Sequence, residues 1–269
     1  MINLVVIWNV NPQIFNLFGI SVRWYSFLFA TTFLVGYYLV QYYSKEAKLP
    51  QKTFDFWLLY MIVGTILGAR LGHCFFYEFS YYVKHPLEIF QTWKGGLASH
   101  GGAIGLLITL WFFARNYKLS YLWVLDRIAG AVALGGFFIR MGNLMNSEIY
   151  GYPTNVPWAF IFKRTDADAV PRHPTQIYEA LCYLLTFGLL HFLDQKFKHN
   201  PPKGMLISVF LIGIFGIRFF IEFLKERQSD FENYMSIDMG QWLSIPFVIT
   251  GIVYLLYIYK KNHGIIKEN

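Results

Sequence analysis

Charge is scarce in this chain. Of its 269 residues, 14% are Asp, Glu, Lys or Arg, against about 25% in a water-soluble domain. That shortfall excludes a protein solvated on all sides. Cysteine is scarcer still: Cys74 and Cys182 are the only two, and both fall inside apolar runs. A small buried side chain is their expected role, and a disulfide framework is excluded. His/Cys clusters at metal-ligand spacing are missing as well, so no metal site is expected. There is no low-complexity linker, which makes residues 1–269 one membrane domain in expectation. A convincing internal repeat is also lacking, which counts against an inverted-repeat transporter. No basic cluster is interleaved with a groove-binding pattern, so the net charge of +7 does not argue for nucleic acid.

What the chain has in quantity is apolar surface: 55% of residues are hydrophobic and 20% are aromatic. The apolar residues come in continuous runs of about 20, the length that crosses a hydrocarbon core of about 30 Å. In lipid the backbone polar groups must be satisfied within each segment, so the runs are expected to be helices. Their continuity, without alternation, excludes a barrel. The expected fold is an all-α polytopic membrane protein. Seven transmembrane helices are expected at about 20–43, 54–77, 97–114, 122–142, 176–195, 204–224 and 239–260. The opening "MINLVVIWNVNPQIF" lacks a basic region and runs into Asn and Pro, so no cleavable leader is expected and the first span is retained. Residues 78–96, rich in aromatics, are expected to lie in the membrane interface. A small external cap is expected at about 143–175, with "VPWAFIFKR" as a short strand or hairpin.

The basic residues between spans set the orientation. Eleven lie in the connections at 44–53, 115–121 and 196–203 and in the C-terminal tail, against seven on the other side in longer loops. The crowded side is expected to be cytoplasmic, with the N-terminus outside and the C-terminus inside; the excess also favours anionic lipid headgroups.

Five arginines remain inside or beside the spans: Arg23, Arg70, Arg127, Arg140 and Arg218. Arg23 and Arg127 lie near span ends, where snorkelling accounts for them. The other three are deeper, at about 2.5–3.5 kcal/mol each on insertion scales. Arg70, in "GARLGH", can be a packing charge satisfied by Asp126 or Glu78. Arg218 and Glu222 stand four apart in "RFFIEF" and suit an intrahelical ion pair. Arg140 has no acid four residues away; Asn143 and Glu148 are its polar company, and Gly142 is expected to loosen the helix beside it. A guanidinium suits bidentate capture of a phosphate, and in a membrane the abundant phosphate is a lipid headgroup.

Two further stretches carry chemistry. In "WKGGLASHGGAIG" His100 opens the third span among Gly95, Gly96, Gly101 and Gly102, on the same membrane side as Arg140. Its imidazole is suited to take a proton near neutral pH. Helix packing is the alternative use of those glycines. In "PRHPTQIYE", Thr175 is expected to cap a helix, with Glu179 near the favourable end of its dipole. Arg172 and His173 are expected just outside the membrane. Tyr25, in "VRWYS", suits an aromatic belt. The residues alone support an outward-facing, arginine-lined cavity for an anionic lipid, in an enzyme or in a lipid carrier.

On these residues the chain resembles the bacterial prolipoprotein diacylglyceryl transferases. "RMGNLMNSEIYG" is similar to that family's signature G-R-x-G-N-F-x-N-x-E-x-x-G, with Arg140, Gly142, Asn143, Asn146, Glu148 and Gly151 matching. "GARLG", "WKGGLASHGG", "PRHPTQIYE", "RFFIEF" and "SIDMGQWLSIP" occur in the family's order and spacing, and the resemblance covers essentially the whole chain. Ile139 and Leu144 replace a glycine and a phenylalanine of the signature. Ile214 stands where many members have a tyrosine, and Lys225 where many have an arginine.

The resemblance implies a seven-span enzyme of the bacterial inner membrane, active toward the outer face and needing no metal or cofactor. Its implied partners are phosphatidylglycerol, the lipobox cysteine of prolipoprotein signal peptides and membrane lipid, with no nucleic acid. The implied reaction moves a diacylglyceryl group to that thiol and releases glycerol 1-phosphate, the first step of lipoprotein maturation. The roles expected on this basis are as follows. His100 accepts or steers the thiol proton, and Arg140 and Arg218 hold the phosphate and neutralise charge on the leaving oxygen. Asn143, Asn146 and Glu148 orient Arg140 and the glycerol hydroxyls. Tyr25, Gly101, Gly102 and Gly151 line the substrate, while Arg70, Asp126, Glu222, Arg172, His173 and Gln176 support the scaffold.

Overall fold

A computed structural model describes residues 5–17, 19–227 and 235–267. Residues 1–4, where the segment expected to lack a leader begins, lie outside the described residues. The described chain is mostly helical, with eight α-helices: α1 Trp24–Tyr43, α2 Gln51–Phe76, α3 Phe79–Lys84, α4 Ser99–Asn116, α5 Tyr121–Asn146, α6 Thr175–Lys196, α7 Met205–Glu222 and α8 Met239–Lys267. Four short strands accompany them: β1 Val6–Trp8, β2 Gln13–Leu17, β3 Ile20–Arg23 and β4 Phe160–Phe162. Five helices are long and apolar enough to cross a membrane by length and composition: α2, α5, α6, α7 and α8 as far as Lys261. The α1 and α4 helices lie over the other two expected spans but fall outside that set. Five tyrosines dilute α1, and α4 opens on Ser99-His100-Gly101-Gly102 and closes on Arg115-Asn116.

The chain divides into two compact units, residues 44–125 and residues 1–43 with 126–269. In the first, α2 packs on α4 through glycine. A Cβ on Gly101 would collide with the Gly68 carbonyl oxygen, and one on Gly68 would stand 2.7 Å from Gly105 Cα. Backbones that approach this closely leave no room for side chains, which is how small residues hold membrane helices together. The α4 start is tied back by Ala98 N donating to Ala69 O at 2.9 Å. Between the two helices run α3 and two 3-10 turns, Pro86–Phe90 and Thr92–Lys94.

In the second unit Ala129, Ala133, Leu190 and Leu206 form a buried apolar cluster shared by α5, α6 and α7. Asp126 is buried and caps α7: Oδ2 accepts from Gly204 N at 2.6 Å and Oδ1 from Ile207 N at 2.9 Å. Helix N-termini leave such amides orphaned, and a carboxylate there satisfies them and suits the dipole. Arg127 departs from the snorkelling expectation. It is buried, held by Asp194 Oδ1 at 3.0 Å, by His199 O at 3.2 Å and by the Tyr43 carbonyl. An acid within reach made burial the better solution than escape to solvent.

The first expected span also starts late. Residues 20–23 form β3, antiparallel to β2, and the helix begins at Trp24. The strand expected in "VPWAFIFKR" exists as β4, but its partner is β1, in parallel register Val6 with Phe160. Parallel pairing needs a long crossover, so no local hairpin signal could report it. The α5 helix continues four residues beyond the expected end at 142, through Asn146.

Candidate active site

The C-terminal end of α5, the start of α6 and the end of α7 together build a buried charged cluster. Arg140, on α5, sends Nε to Glu179 Oε2 at 2.9 Å and Nη1 to Asn143 Oδ1 at 3.2 Å. The Tyr183 hydroxyl donates to the other oxygen of that carboxylate, Glu179 Oε1, at 3.4 Å. Glu179 is fully buried on α6 and serves two cations, since Lys225 Nζ reaches its Oε1 at 2.9 Å. Lys225 Nζ also lies 3.2 Å from Glu222 Oε2. Arg218 faces the same group: its charge acts on Tyr183 and on Lys225. Three cations therefore meet two carboxylates, and among the described residues Arg218 makes no ion pair. A guanidinium kept in such surroundings is costly unless an anion completes it.

This corrects three expectations. The Arg218–Glu222 ion pair is absent, because Glu222 turns to Lys225. The carboxylate of Arg140 is Glu179, 39 positions away in sequence, which no local spacing can show. Glu179 is too deep to serve the helix dipole, and Thr175 is not a cap. Pro174 holds the cap position with no side-chain bond, while Thr175 Oγ1 donates to Ile149 O at 2.9 Å.

The signature segment frames the cluster. Asn143 Nδ2 and Asn146 Nδ2 donate to Glu148 Oε1 at 2.8 and 3.1 Å, so Glu148 reaches Arg140 through Asn143. Gln176 Nε2 fastens the Glu148 carbonyl at 2.7 Å. Gly142 does not loosen α5; it admits Tyr25, whose Cδ2 would be 2.8 Å from a Cβ there. Glu148 and Arg140 both act electrostatically on Tyr25. Gly151 is pinned between elements: its N–H donates to His173 O at 2.9 Å, and a Cβ on it would stand 2.7 Å from His173 Cβ. It also forms an antiparallel bridge with Lys225.

The cap is braced by Arg172. Its Nε and Nη2 clasp Asp166 at 2.7 and 3.0 Å, Nη1 meets Glu226 at 3.1 Å, and the guanidinium stacks on Tyr150. The Arg172 fork holds the Asp166 carboxyl below the usual carboxylate range. His173 Nδ1 lies 3.2 Å from the Tyr178 hydroxyl, which accepts from Trp158 Nε1 at 2.8 Å. Burial pushes the His173 imidazole down, favouring its neutral form.

In the unit of residues 44–125, Arg70 is buried and satisfied by carbonyls rather than by Asp126 or Glu78. It donates to Glu88 O at 2.5 Å, Ile89 O at 2.8 Å, Gly95 O at 2.7 Å and Gly96 O at 3.2 Å. His100 is exposed, with its ring 5.9 and 5.7 Å from those of Phe76 and Tyr77. Gly101 and Gly102 are buried against α2. Among the described residues no group of three His, Cys, Asp or Glu side chains could hold a metal ion.

The helices and the cluster together define a multi-pass membrane protein that buries paired charges at the ends of its helices. Comparison with known proteins narrows that class. The profile of the prolipoprotein diacylglyceryl transferase family matches residues 12–257. Two proteins named phosphatidylglycerol–prolipoprotein diacylglyceryl transferase, from Chloroherpeton thalassium and Bacteroides fragilis, are each 46% identical to the chain. They match over 95% of this chain and 95% and 96% of their own lengths. The protein of the same name from Nitrosospira multiformis is 40% identical, over 93% of this chain and 87% of its own. The chain belongs to the prolipoprotein diacylglyceryl transferase family. It is a transferase, and a multi-pass protein of the bacterial inner membrane.

The sequence did not place Glu179, Tyr183 or Lys225 in the cluster: Glu179 was expected at a helix dipole, Lys225 stood only as a departure from the family pattern, and Tyr183 was not singled out. A carboxylate one turn into an apolar helix was the available signal for the first. Tyr183 offered none.

Proposed function

We propose that this protein transfers the diacylglyceryl group of phosphatidylglycerol to the lipobox cysteine thiol of prolipoproteins. Sulfur attacks the glyceryl carbon, the bond from that carbon to the phosphate oxygen breaks, and a thioether and glycerol 1-phosphate result. The thiol proton passes to His100, and the electron pair of the broken bond leaves on phosphate oxygen. Arg140 and Arg218 hold the phosphate and stabilise the negative charge that grows on that oxygen. Such charge stabilisation is worth about 2.7–4 kcal/mol per donor in comparable oxyanion sites. Asn143, Asn146 and Glu148 set the plane of Arg140, and Tyr25 contacts the headgroup.

One observation carries the reading: Arg218 shares the Tyr183 hydroxyl's neighbourhood with Arg140 while making no ion pair among the described residues. A phosphate diester placed there supplies the missing anion. The assignment of His100 rests on the sequence alone. The α1 and α4 helices complete seven spans in this reading, with the N-terminus outside, the C-terminus cytoplasmic and residues 147–174 in an external cap.

Incubation of detergent-purified protein with phosphatidylglycerol and a lipobox peptide tests it. The expected product is the peptide heavier by one diacylglyceryl group on cysteine, with glycerol phosphate released. Lipid movement across vesicles without peptide modification would make the protein a lipid carrier instead.

A further inference from the structure

Glu179 stands between two cations, and the second is held by a part of the chain that comes late in sequence. Lys225 lies three residues past α7, where the backbone turns to run beside the end of the signature segment. Tyr152 N donates to Leu224 O at 2.9 Å and Glu226 N to Tyr150 O at 3.3 Å, so the strand-like bridge at Gly151 fixes where Lys225 enters. Its side chain is buried, 4% exposed, with its ammonium on Glu179 Oε1 and Glu222 Oε2. A carboxylate with one partner can rotate about its terminal bond; Glu179 is held at Oε1 by Lys225 at 2.9 Å, with the Tyr183 hydroxyl at the longer 3.4 Å, and is ion-paired at Oε2 with Arg140.

We propose that Lys225 is a positioning residue for the transfer reaction. Through Glu179 it fixes the plane of the Arg140 guanidinium at the angle that receives the lipid phosphate. The inference rests on the function proposed above. Lys225 itself touches neither substrate; its two carboxylates occupy it. The contact that matters for chemistry is the ion pair of Arg140 Nε with Glu179 Oε2, and Lys225, the shorter of the two contacts on Oε1, determines how Glu179 presents that oxygen. A misaimed guanidinium still attracts an anion but no longer matches the transition state, so turnover suffers more than lipid affinity. Because the requirement is a fixed cation on Oε1, arginine at 225 serves equally.

The test measures kcat and KM for phosphatidylglycerol, with a lipobox peptide in excess, in Lys225→Met, Lys225→Arg, Glu179→Gln and the Lys225→Met/Glu179→Gln double variant. Thermal unfolding in detergent is followed in parallel. Lys225→Met is expected to lower kcat at least tenfold while KM stays within about threefold, and Lys225→Arg to retain kcat within threefold. The double variant is expected to lose no more than Glu179→Gln alone, since both changes break one chain of contacts. If Lys225→Met does not fold, the double variant, which removes the Lys225 and Glu179 charges together, carries the test, with the same tenfold loss of kcat expected. Parent-like kcat in Lys225→Met or in the double variant overturns the proposal. So does a rise in KM alone, a Lys225→Arg enzyme as impaired as Lys225→Met, or losses that multiply. A parent protein that moves no diacylglyceryl group overturns the function itself, whatever the variants do.

Discussion

The ring of Tyr25 occupies the space a side chain at residue 142 would need: a Cβ on Gly142 would lie 2.8 Å from Tyr25 Cδ2 and 3.3 Å from Tyr25 Cα. The signature glycine therefore brings the first turn of α1 against α5, two residues from Arg140. Its use is close approach rather than bending, since α5 runs on unbroken to Asn146.

Gly142→Ala is expected to displace Tyr25. Overpacking of this kind costs about 1–3 kcal/mol, to be read as a lowered unfolding temperature in detergent. Turnover is expected to fall at least tenfold, because Tyr25 shares the electrostatic surroundings of Arg140 and Glu148. Unchanged stability with unchanged turnover would show that the contact is slack.

Arg140→Lys keeps the charge but gives up the planar fork that meets Glu179 and Asn143 together. Transfer is expected to fall about 100- to 1,000-fold, the loss that follows removal of one oxyanion donor, with normal membrane insertion. Peptide modification by mass spectrometry measures it. Wild-type-like turnover would remove phosphate capture from the mechanism.

His100→Gln separates two accounts of thiol activation. A free cysteine titrates near ~8.5. If His100 takes the thiol proton, the defect of the variant shrinks as pH rises past that value. A defect that stays constant well above it counts against a base role and leaves ionisation to the arginines.

The two glycines after His100 differ in what they meet. Gly101→Ala drives a Cβ into the Gly68 backbone, which cannot move aside, whereas the nearest atom to a Cβ on Gly102 is 3.4 Å away. Gly101→Ala is expected to abolish recovery of folded protein from membranes, and Gly102→Ala to leave it within about 1 kcal/mol of the parent, as tolerated substitutions are. Size-exclusion profiles and thermal unfolding in detergent decide it.

Acid should loosen the cap. Arg172 holds the Asp166 carboxyl below its usual range, so the unfolded chain binds that proton more readily than the folded one. The stabilisation is complete above the unfolded carboxylate value near ~3.9 and is lost as pH falls through the lower folded value. Asp166→Asn is expected to be less stable than the parent at pH 6 and to show a flatter decline toward pH 3. Parallel declines in the two proteins would place the acid sensitivity elsewhere.

Much of the architecture could be read along the chain because lipid imposes a local rule. A run of apolar residues must satisfy its own backbone, so α2, α5, α6, α7 and α8 announce themselves by length and hydropathy. The signature from Arg140 to Gly151 was equally visible, since its polar residues stand out against Phe, Met and Leu. The pairing of β1 with β4 could not be seen, because parallel register depends on residues more than 150 positions apart. Arg127 was misjudged for a related reason. Its carboxylate, Asp194, sits at the far end of a different helix.

By itself the sequence determined the solvent the protein lives in, the places where helices form and the presence of arginines that hydrocarbon would otherwise expel. Each of those follows from composition within a window no longer than one helix. Which charges neutralise one another was settled in three dimensions: Glu179 took Arg140 and Lys225, Glu222 took Lys225, and among the described residues Arg218 makes no ion pair. Coulomb attraction acts on distance in space, and folding brings together groups whose separation along the chain carries no record of it.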